Sequence, residues 1–316
     1  MRKPIVFMFS GQGSQYYHMG RELYHQNTVF RYWLSHLNDM VHQSAGISII
    51  DEIYNPAKSK ADKFDNLLYT HPAIFMVEYS LARVLVDLGI NPDYVLGASL
   101  GEVTAAAVAG IISLKDALDC ILKQVELIRD RCQTGRMVAV INNPELYHQS
   151  SVIFRYSELA AVNFSSHFVI SGASENLLNI ENHLKAINVP FLTLPVRYGF
   201  HSTKIDPAGG EYKKYLRNFS FRTPEIPIIS CLSSGRITDI TPEYFWDIVR
   251  QPILFQKTIL MLEEIYQFHY IDLGPSGTLA NFVKHNLEKS SESQFYDVLT
   301  PFNQEIKQLE KLAGIN

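Results

Sequence analysis

The chain is poor in cysteine, carries no excess of positive charge and has no long apolar run, and each shortage removes a class of protein. Cys120, Cys132 and Cys231 are the only cysteines among 316 residues. They are odd in number and lack metal-ligand spacing, which argues against a disulfide scaffold or a zinc site. The 28 basic residues against 32 acidic ones leave a net charge of −4, with no block of like charges. A nucleic-acid binder normally carries a basic surplus, so no nucleic-acid partner is expected. The longest apolar stretch, around Ala105 to Ile112, is less than half a membrane span. The opening MRKPIVFMF has too few apolar residues before Ser10 and Gly11 for a signal-peptide core. A cytoplasmic protein that does not engage membranes is expected. At 47% hydrophobic and 19% charged residues, the composition is that of a chain with a sizeable core.

The hydropathy pattern outlines an α/β protein with two regions. Ile5 to Phe9 reads as a buried strand running into Ser10-Gly11-Gln12-Gly13-Ser14-Gln15, a loop of permissive backbone. Residues 71 to 88 place apolar side chains at spacings of three and four, a helix stopped by Gly89 and Pro92. Tyr94 to Leu96 is a short strand, and helices are expected over Glu102–Ala109 and Asp116–Arg131. Between Arg136 and Pro195 the pattern changes. Strands over Met137–Ile141, Leu159–Asn163, Phe168–Ser171 and Val189–Leu194 alternate with helices over Pro144–Ile153 and Glu175–Ile187. That β-α-β-β-α-β order is ferredoxin-like, and its first and last strands can lie side by side. Helices, extended pieces around Pro224 and Pro227, and a strand at His269–Leu273 follow. Strands alternating with helices outside the insertion predict a parallel sheet. The expected division is a large α/β-hydrolase-like subdomain over 1–132 and 198–316, with a small ferredoxin-like subdomain over 133–197. Nothing in the composition suggests a large exposed apolar face, and a monomer is expected.

Gly97-Ala98-Ser99-Leu100-Gly101 fits G-x-S-x-G, with a strand before it and a helix after it, the setting in which the motif exposes a nucleophilic serine. The glycines permit a sharp turn that lifts the Ser99 hydroxyl from the sheet edge. The N–H of Leu100 and the positive end of the following helix then face any oxyanion formed there. A serine needs a base. Of 11 histidines, His201 stands out because Gly199-Phe200-His201 follows directly on the insertion. His71, His167 and His269 are read as structural.

Taken together, Gly11-Gln12-Gly13-Ser14-Gln15, Gly97-x-Ser99-Leu100-Gly101-Glu102 and Gly199-Phe200-His201 resemble the malonyl-CoA:acyl carrier protein transacylase (acyltransferase) family. Thr70-His71-Pro72-Ala73 resembles its T-Q-P-A segment, and Gly274-Pro275-Ser276-Gly277 its G-P-G-like loop. The resemblance covers nearly the whole chain. It implies Ser99 as the acyl-accepting nucleophile, His201 as general base and acid, and the amides of Gln12 and Leu100 as the oxyanion hole, with Phe200 at the substrate. The group that orients the imidazole is expected a few residues before Pro252. There Ile248 stands in place of Asn or Gln, which leaves Asp247 or a main-chain carbonyl. The resemblance implies no bound cofactor: the acyl thioester arrives on the phosphopantetheine arm of an acyl carrier protein.

Two departures bear on specificity. Ala98 stands where the family usually has histidine before the serine. On the helix from Asp116, malonyl-selective relatives place an arginine that pairs with the free malonyl carboxylate. Alignment from the helix start puts Gln124 there. Arg129 falls about 140° around the helix from Gln124, and Arg131 about 10 Å further along. Arg197 lies close to His201 in sequence and stays open as a clamp. The absence of a clamp resembles the trans-acting acyl hydrolases of trans-acyltransferase polyketide synthases, which remove stalled acyl groups from carrier proteins. A malonyl transacylase and a non-catalytic carrier-protein docking subunit are the alternatives. If Gln124 lines the pocket, Gln124→Arg improves malonyl acylation. A serine-directed phosphonate should label Ser99 in mass spectrometry of the intact protein, and folded protein that takes no label would favour the docking subunit.

Overall fold

The computed structural model describes residues 2–238 and 240–315. Its strands are, in chain order, β1 (Ile5–Phe9), β2 (Tyr94–Gly97), β3 (Gly135–Val140), β4 (Glu158–Phe164), β5 (His167–Ala173), β6 (Phe191–Thr193), β7 (Ile228–Ser230), β8 (Gly235–Ile237), β9 (His269–Asp272) and β10 (Gln294–Asp297). Six form one sheet in the order β10-β9-β1-β2-β7-β8, parallel except for β8 at one edge. The other four form an antiparallel sheet in the order β4-β5-β3-β6. The expected parallel sheet and the ferredoxin-like strand order are both present. The first and last strands of the small sheet pair, Val138 opposite Thr193 and Val140 opposite Phe191. The expected Pro144–Ile153 helix is two short ones, Glu145–Gln149 and Ser151–Tyr156, split at Ser150, whose backbone is extended and whose hydroxyl caps the second helix.

β1 lies at the centre of the large sheet and is buried along its whole length, because helices cover both faces. This makes Ile5–Phe9 a continuous apolar run rather than an alternating one. Each such side chain, once fully buried, contributes about 1.5–3 kcal/mol. The helix Leu67–Asp87 is buried nearly all round. It begins four residues before the sequence reading placed it, capped by the Asn66 side chain, and runs through Pro72. Three helices that the hydropathy pattern did not reveal, Arg21–Gln26, Thr28–Ala45 and Ile49–Ile53, lie between β1 and this long helix in the chain.

Three buried carboxyls tie these elements where the parallel strands end. Glu78, on the long helix, accepts from the Ser10 amide at 2.6 Å, the Ser10 hydroxyl at 2.9 Å and the Thr104 hydroxyl at 2.9 Å. Asp272, at the end of β9, accepts from the amides of Gly274 and Ala280 at 2.8 and 2.9 Å. Glu102, one residue into the helix Gly101–Val108, accepts from the hydroxyls of Ser230 and Tyr244. Burial disfavours their charged forms, pushing Glu78 up to about 8 and Glu102 and Asp272 up to about 7, against the lowering effect of these hydrogen bonds. A carboxyl whose native pKa exceeds its unfolded value stabilises fully below about pH 4.5, and that stabilisation disappears as pH rises through the native value. The stability of wild-type protein relative to Glu78→Gln should therefore decline between about pH 4.5 and 8 in thermal melts. A pH-independent difference would contradict the assignment.

Candidate active site

Two glycines in the β2–helix turn bring main chains closer than any side chain allows. A Cβ at Gly97 would overlap the backbone of Glu102, and one at Gly101 would overlap the Phe9 carbonyl. Between them Ser99 has φ 56°, in the left-handed region that non-glycine residues adopt at a cost of about 1–3 kcal/mol. The Ala98 amide donates to the Phe9 carbonyl at 3.0 Å, fixing the turn to the end of β1. Gly11 lies against the same turn: a Cβ there would sit 3.0 Å from the Ala98 oxygen and from Ser99 Cβ. This contact sets Gln12 beside Ser99, and both line the cleft with Leu100. Neither the Gln12 nor the Leu100 N–H donates to another group among the described residues. Two free donors thus flank the serine where the sequence placed the oxyanion hole.

His201 reaches the serine from the opposite side. Its Nε2 lies 2.8 Å from Ser99 Oγ, and its Nδ1 lies 2.6 Å from the main-chain oxygen of Gln251. A carbonyl only accepts, so Nδ1 carries the proton and Nε2 presents a lone pair to the hydroxyl. The orienting group is therefore the Gln251 carbonyl, one of the two possibilities left by the sequence; neither the Asp247 carboxylate nor the buried Ile248 side chain takes that place. His201 is also left-handed, with φ 57°, and its amide donates to Val249 O at 2.9 Å. The segment that supplies both carbonyls is joined to the small sheet: Ile253 N donates to Ala160 O and Val162 N to Ile253 O, each at 2.9 Å.

The cleft has about 310 Å³ of free volume between the two sheets. Its walls are mainly apolar, with Met137, Ala139, Ala161, Val169, Leu192 and Leu194 contributed by the small sheet and the segment that follows it. Among the described residues no lysine, arginine, aspartate or glutamate lines it, and the titratable side chains that do are His71, His167 and His201. The three arginines considered from the sequence are paired elsewhere. Arg129 binds Asp130 at 2.8 Å, Arg131 binds Glu211 at 2.7 Å, and Arg197 holds Asp65 through two contacts of 2.8 and 2.9 Å.

Two expectations need correction. Gln124 is buried but is not among the residues that line the cleft. Its helix, Leu114–Arg131, packs against Asp206–Leu216, and the Gln124 amide lies beside the Tyr212 hydroxyl, with its Oε1 unpartnered. Gln124→Arg should therefore bring no gain in malonyl acylation. His71 and His167, read as structural, both line the cleft, together with Asn163. The signal for His71 was its place in Thr70-His71-Pro72-Ala73, a polar ring amid an apolar helix. Phe200, by contrast, lines the cleft as expected.

The sequence profile of the acyl transferase domain matches residues 6–315. This chain belongs to the acyl transferase domain family. It is 48% identical over 309 residues to the polyketide biosynthesis acyltransferase homolog PksD of Bacillus subtilis, covering 98% of this chain and 95% of the relative. It is 46% identical to the homolog BaeD of Bacillus velezensis, covering 99% and 96%. Among solved structures, it resembles the acyltransferase domain from the second module of the salinomycin polyketide synthase, with a TM-score of 0.87 at 27% identity, over 100% of this chain and 75% of that one. The crystal structure of MCAT from Streptococcus pneumoniae gives 0.80 at 26% identity, over 98% and 99%. The large parallel sheet with its small antiparallel companion is thus the architecture of acyltransferase domains.

Burial keeps the His201 imidazole neutral, with a bare Nε2, across the neutral range. Burial lowers the His201 pKa to about 4, opposed by the hydrogen bond to Gln251 and aided by the nearby Arg250 charge. Below that value Nε2 is protonated and cannot take the serine proton. The acid limb of Ser99 acylation, measured with a neutral thioester, should therefore centre near pH 4, and a limb centred on the ordinary histidine value of about 6.5 would contradict this geometry.

Proposed function

We propose that this protein is an acyl hydrolase that clears stalled, uncharged acyl groups from the acyl carrier proteins of a polyketide synthase, with no cofactor of its own. The observation that carries this reading is the absence of any guanidinium or ammonium group from the lining of the cleft beside Ser99. A carboxylate moved from water into an apolar cleft without a cation loses several kcal/mol of solvation. Each 1.4 kcal/mol of that loss is about a tenfold preference for a neutral acyl group. Supply of malonyl units is disfavoured on this ground, and in the proposed reaction water accepts the neutral acyl group from Ser99. The likeness to two polyketide biosynthesis acyltransferase homologs supports a carrier-protein thioester as the substrate.

In this mechanism the thioester carbonyl lies between Ser99 Oγ and the amides of Gln12 and Leu100. Oγ attacks the carbonyl carbon while its proton passes to His201 Nε2. The oxyanion is held by the two amides, with the positive end of the helix Gly101–Val108 behind Leu100. Collapse expels the phosphopantetheine thiolate, which takes the proton back from Nε2 and leaves acyl-Ser99. His201 Nε2 then accepts a proton from water as the hydroxide adds to the ester carbonyl; collapse breaks the bond to Oγ, which takes that proton from Nε2, releasing a free acid and restoring Ser99 and the neutral imidazole. The Nδ1 proton stays on Nδ1 throughout, donated to the Gln251 carbonyl. It fixes the ring's orientation and stabilises the imidazolium form that appears in each half-reaction.

Carrier protein loaded with acetyl or butyryl groups should release free acid in the presence of the enzyme, and malonyl-loaded carrier should react at least about tenfold more slowly. Release is followed by chromatography of the acid and mass spectrometry of the carrier. Rapid malonyl loading onto Ser99, retention in water and transfer to a carrier thiol would overturn the hydrolase reading in favour of a malonyl transacylase.

A further inference from the structure

His71 occupies the cleft wall between the two arms of the site. It sits on the helix Leu67–Asp87 and is almost fully buried. Its Nε2 lies 3.3 Å from Gln12 Oε1. An amide oxygen accepts only, so Nε2 is the protonated nitrogen and Nδ1 is bare. Nδ1 has no partner among the described residues, and Gln12 Nε2 has none either, which leaves this hydrogen bond as the one polar tie between the Gln12 side chain and the rest of the fold. Burial lowers the His71 pKa to about 3, so the ring is neutral and keeps that tautomer at physiological pH. On its other side the ring lies against Phe200, with centroids 5.5 Å apart, and Phe200 directly precedes His201.

The rest of the Gln12 loop is tied locally, to residue 64, or through Ser10 to Glu78. The Gly13 amide donates to Gln15 Oε1 at 2.7 Å, Gln15 Nε2 donates to the Phe64 carbonyl at 2.9 Å, and the Ser14 hydroxyl donates to Gly11 O at 2.9 Å. None of these bonds constrains the Gln12 side chain. Gly13 has φ 112°, a conformation that favours glycine.

We propose that His71 is a positioning residue: through Gln12 Oε1 it holds the Gln12 amide where the oxyanion forms, and through Phe200 it sets that amide in register with His201. The inference rests on the reading of Gln12 as an oxyanion donor. A donor displaced by even an ångström loses most of its effect on the transition state while the substrate still binds. The role therefore belongs to the acylation rate rather than to ground-state affinity.

The test is Ser99 acylation by acetyl-N-acetylcysteamine, followed by rapid-quench mass spectrometry of the intact protein. Wild type, His71→Leu, His71→Gln, Gln12→Ala and the His71→Leu/Gln12→Ala double variant are compared. His71→Leu should lower the acylation rate constant by about tenfold to a hundredfold, with half-saturation changed by less than about threefold. His71→Gln, whose amide can donate to the same oxygen, should recover the rate to within about threefold of wild type. Gln12→Ala keeps the main-chain amide but removes the tie, so it should lose as much as His71→Leu, and the double variant no more than either. Wild-type protein that fails to acylate at Ser99 would overturn the underlying active-site reading. Normal wild-type acylation with His71→Leu within about twofold of it, or with His71→Gln as impaired as His71→Leu, would overturn the positioning role alone. Should His71→Leu not fold, Gln12→Ala decides the matter, since a wild-type rate in that variant removes the proposed tie.

Discussion

The imidazole of His201 is held by a main-chain oxygen, and much of the surrounding structure serves that contact. A carboxylate in the same place would bring a charge into an apolar cleft and raise the basicity of the ring. The Gln251 carbonyl fixes the tautomer with a dipole alone and leaves the pKa to burial. A carbonyl orients a ring well only if its own peptide is fixed. Here it is, because Gln251 N donates to Asp247 O at the end of the helix Pro242–Arg250, and two residues further on Ile253 exchanges hydrogen bonds with β4. The left-handed backbone at His201 is held in turn by its bond to Val249.

The distribution of charge around the site follows from the same economy. The buried carboxyls of Glu78, Glu102 and Asp272 stand behind the reacting groups, each met by hydroxyls or amides, and none lines the cleft. They join the ends of β1, β2, β7 and β9 to the helices that cross them. Burial holds them toward the neutral form, so the framework is polar without projecting a strong field into the space where substrate sits. Arg129, Arg131 and Arg197 are neutralised by Asp130, Glu211 and Asp65, and Arg250, beside Gln251, pairs with Asp206.

The fold was legible in the sequence wherever apolar periodicity and glycine punctuation coincided. Ile5–Phe9, Tyr94–Gly97 and the β-α-β-β-α-β insertion were readable for that reason, as were Ser99 and His201 from the turns around them. The helices between Arg21 and Ile53 were not read, although Phe30, Leu34, Leu37 and Val41 recur at spacings of four and three along Thr28–Ala45; the two flanking helices, of six and five residues, are too short to show a period. Helical phase failed at Gln124: spacing along one helix does not specify which neighbour covers that face, and Asp206–Leu216 does so here. His71 and His167 were missed for a related reason. A histidine's exposure to a cleft depends on the second sheet, and no local pattern encodes the distance between two sheets. The partner of His201 could be narrowed but not chosen, since a main-chain carbonyl leaves no mark on residue identity.

The strand-like pairing of Ile253 with β4 gives residues 249–253 two tasks, as the seam between the sheets and as the cradle of the imidazole. A tilt of the smaller sheet pulls on the same short stretch that aims Nε2 at the serine. Widening the entrance and detuning the reactive pair are then one mechanical event, so that an ajar molecule is also an idle one.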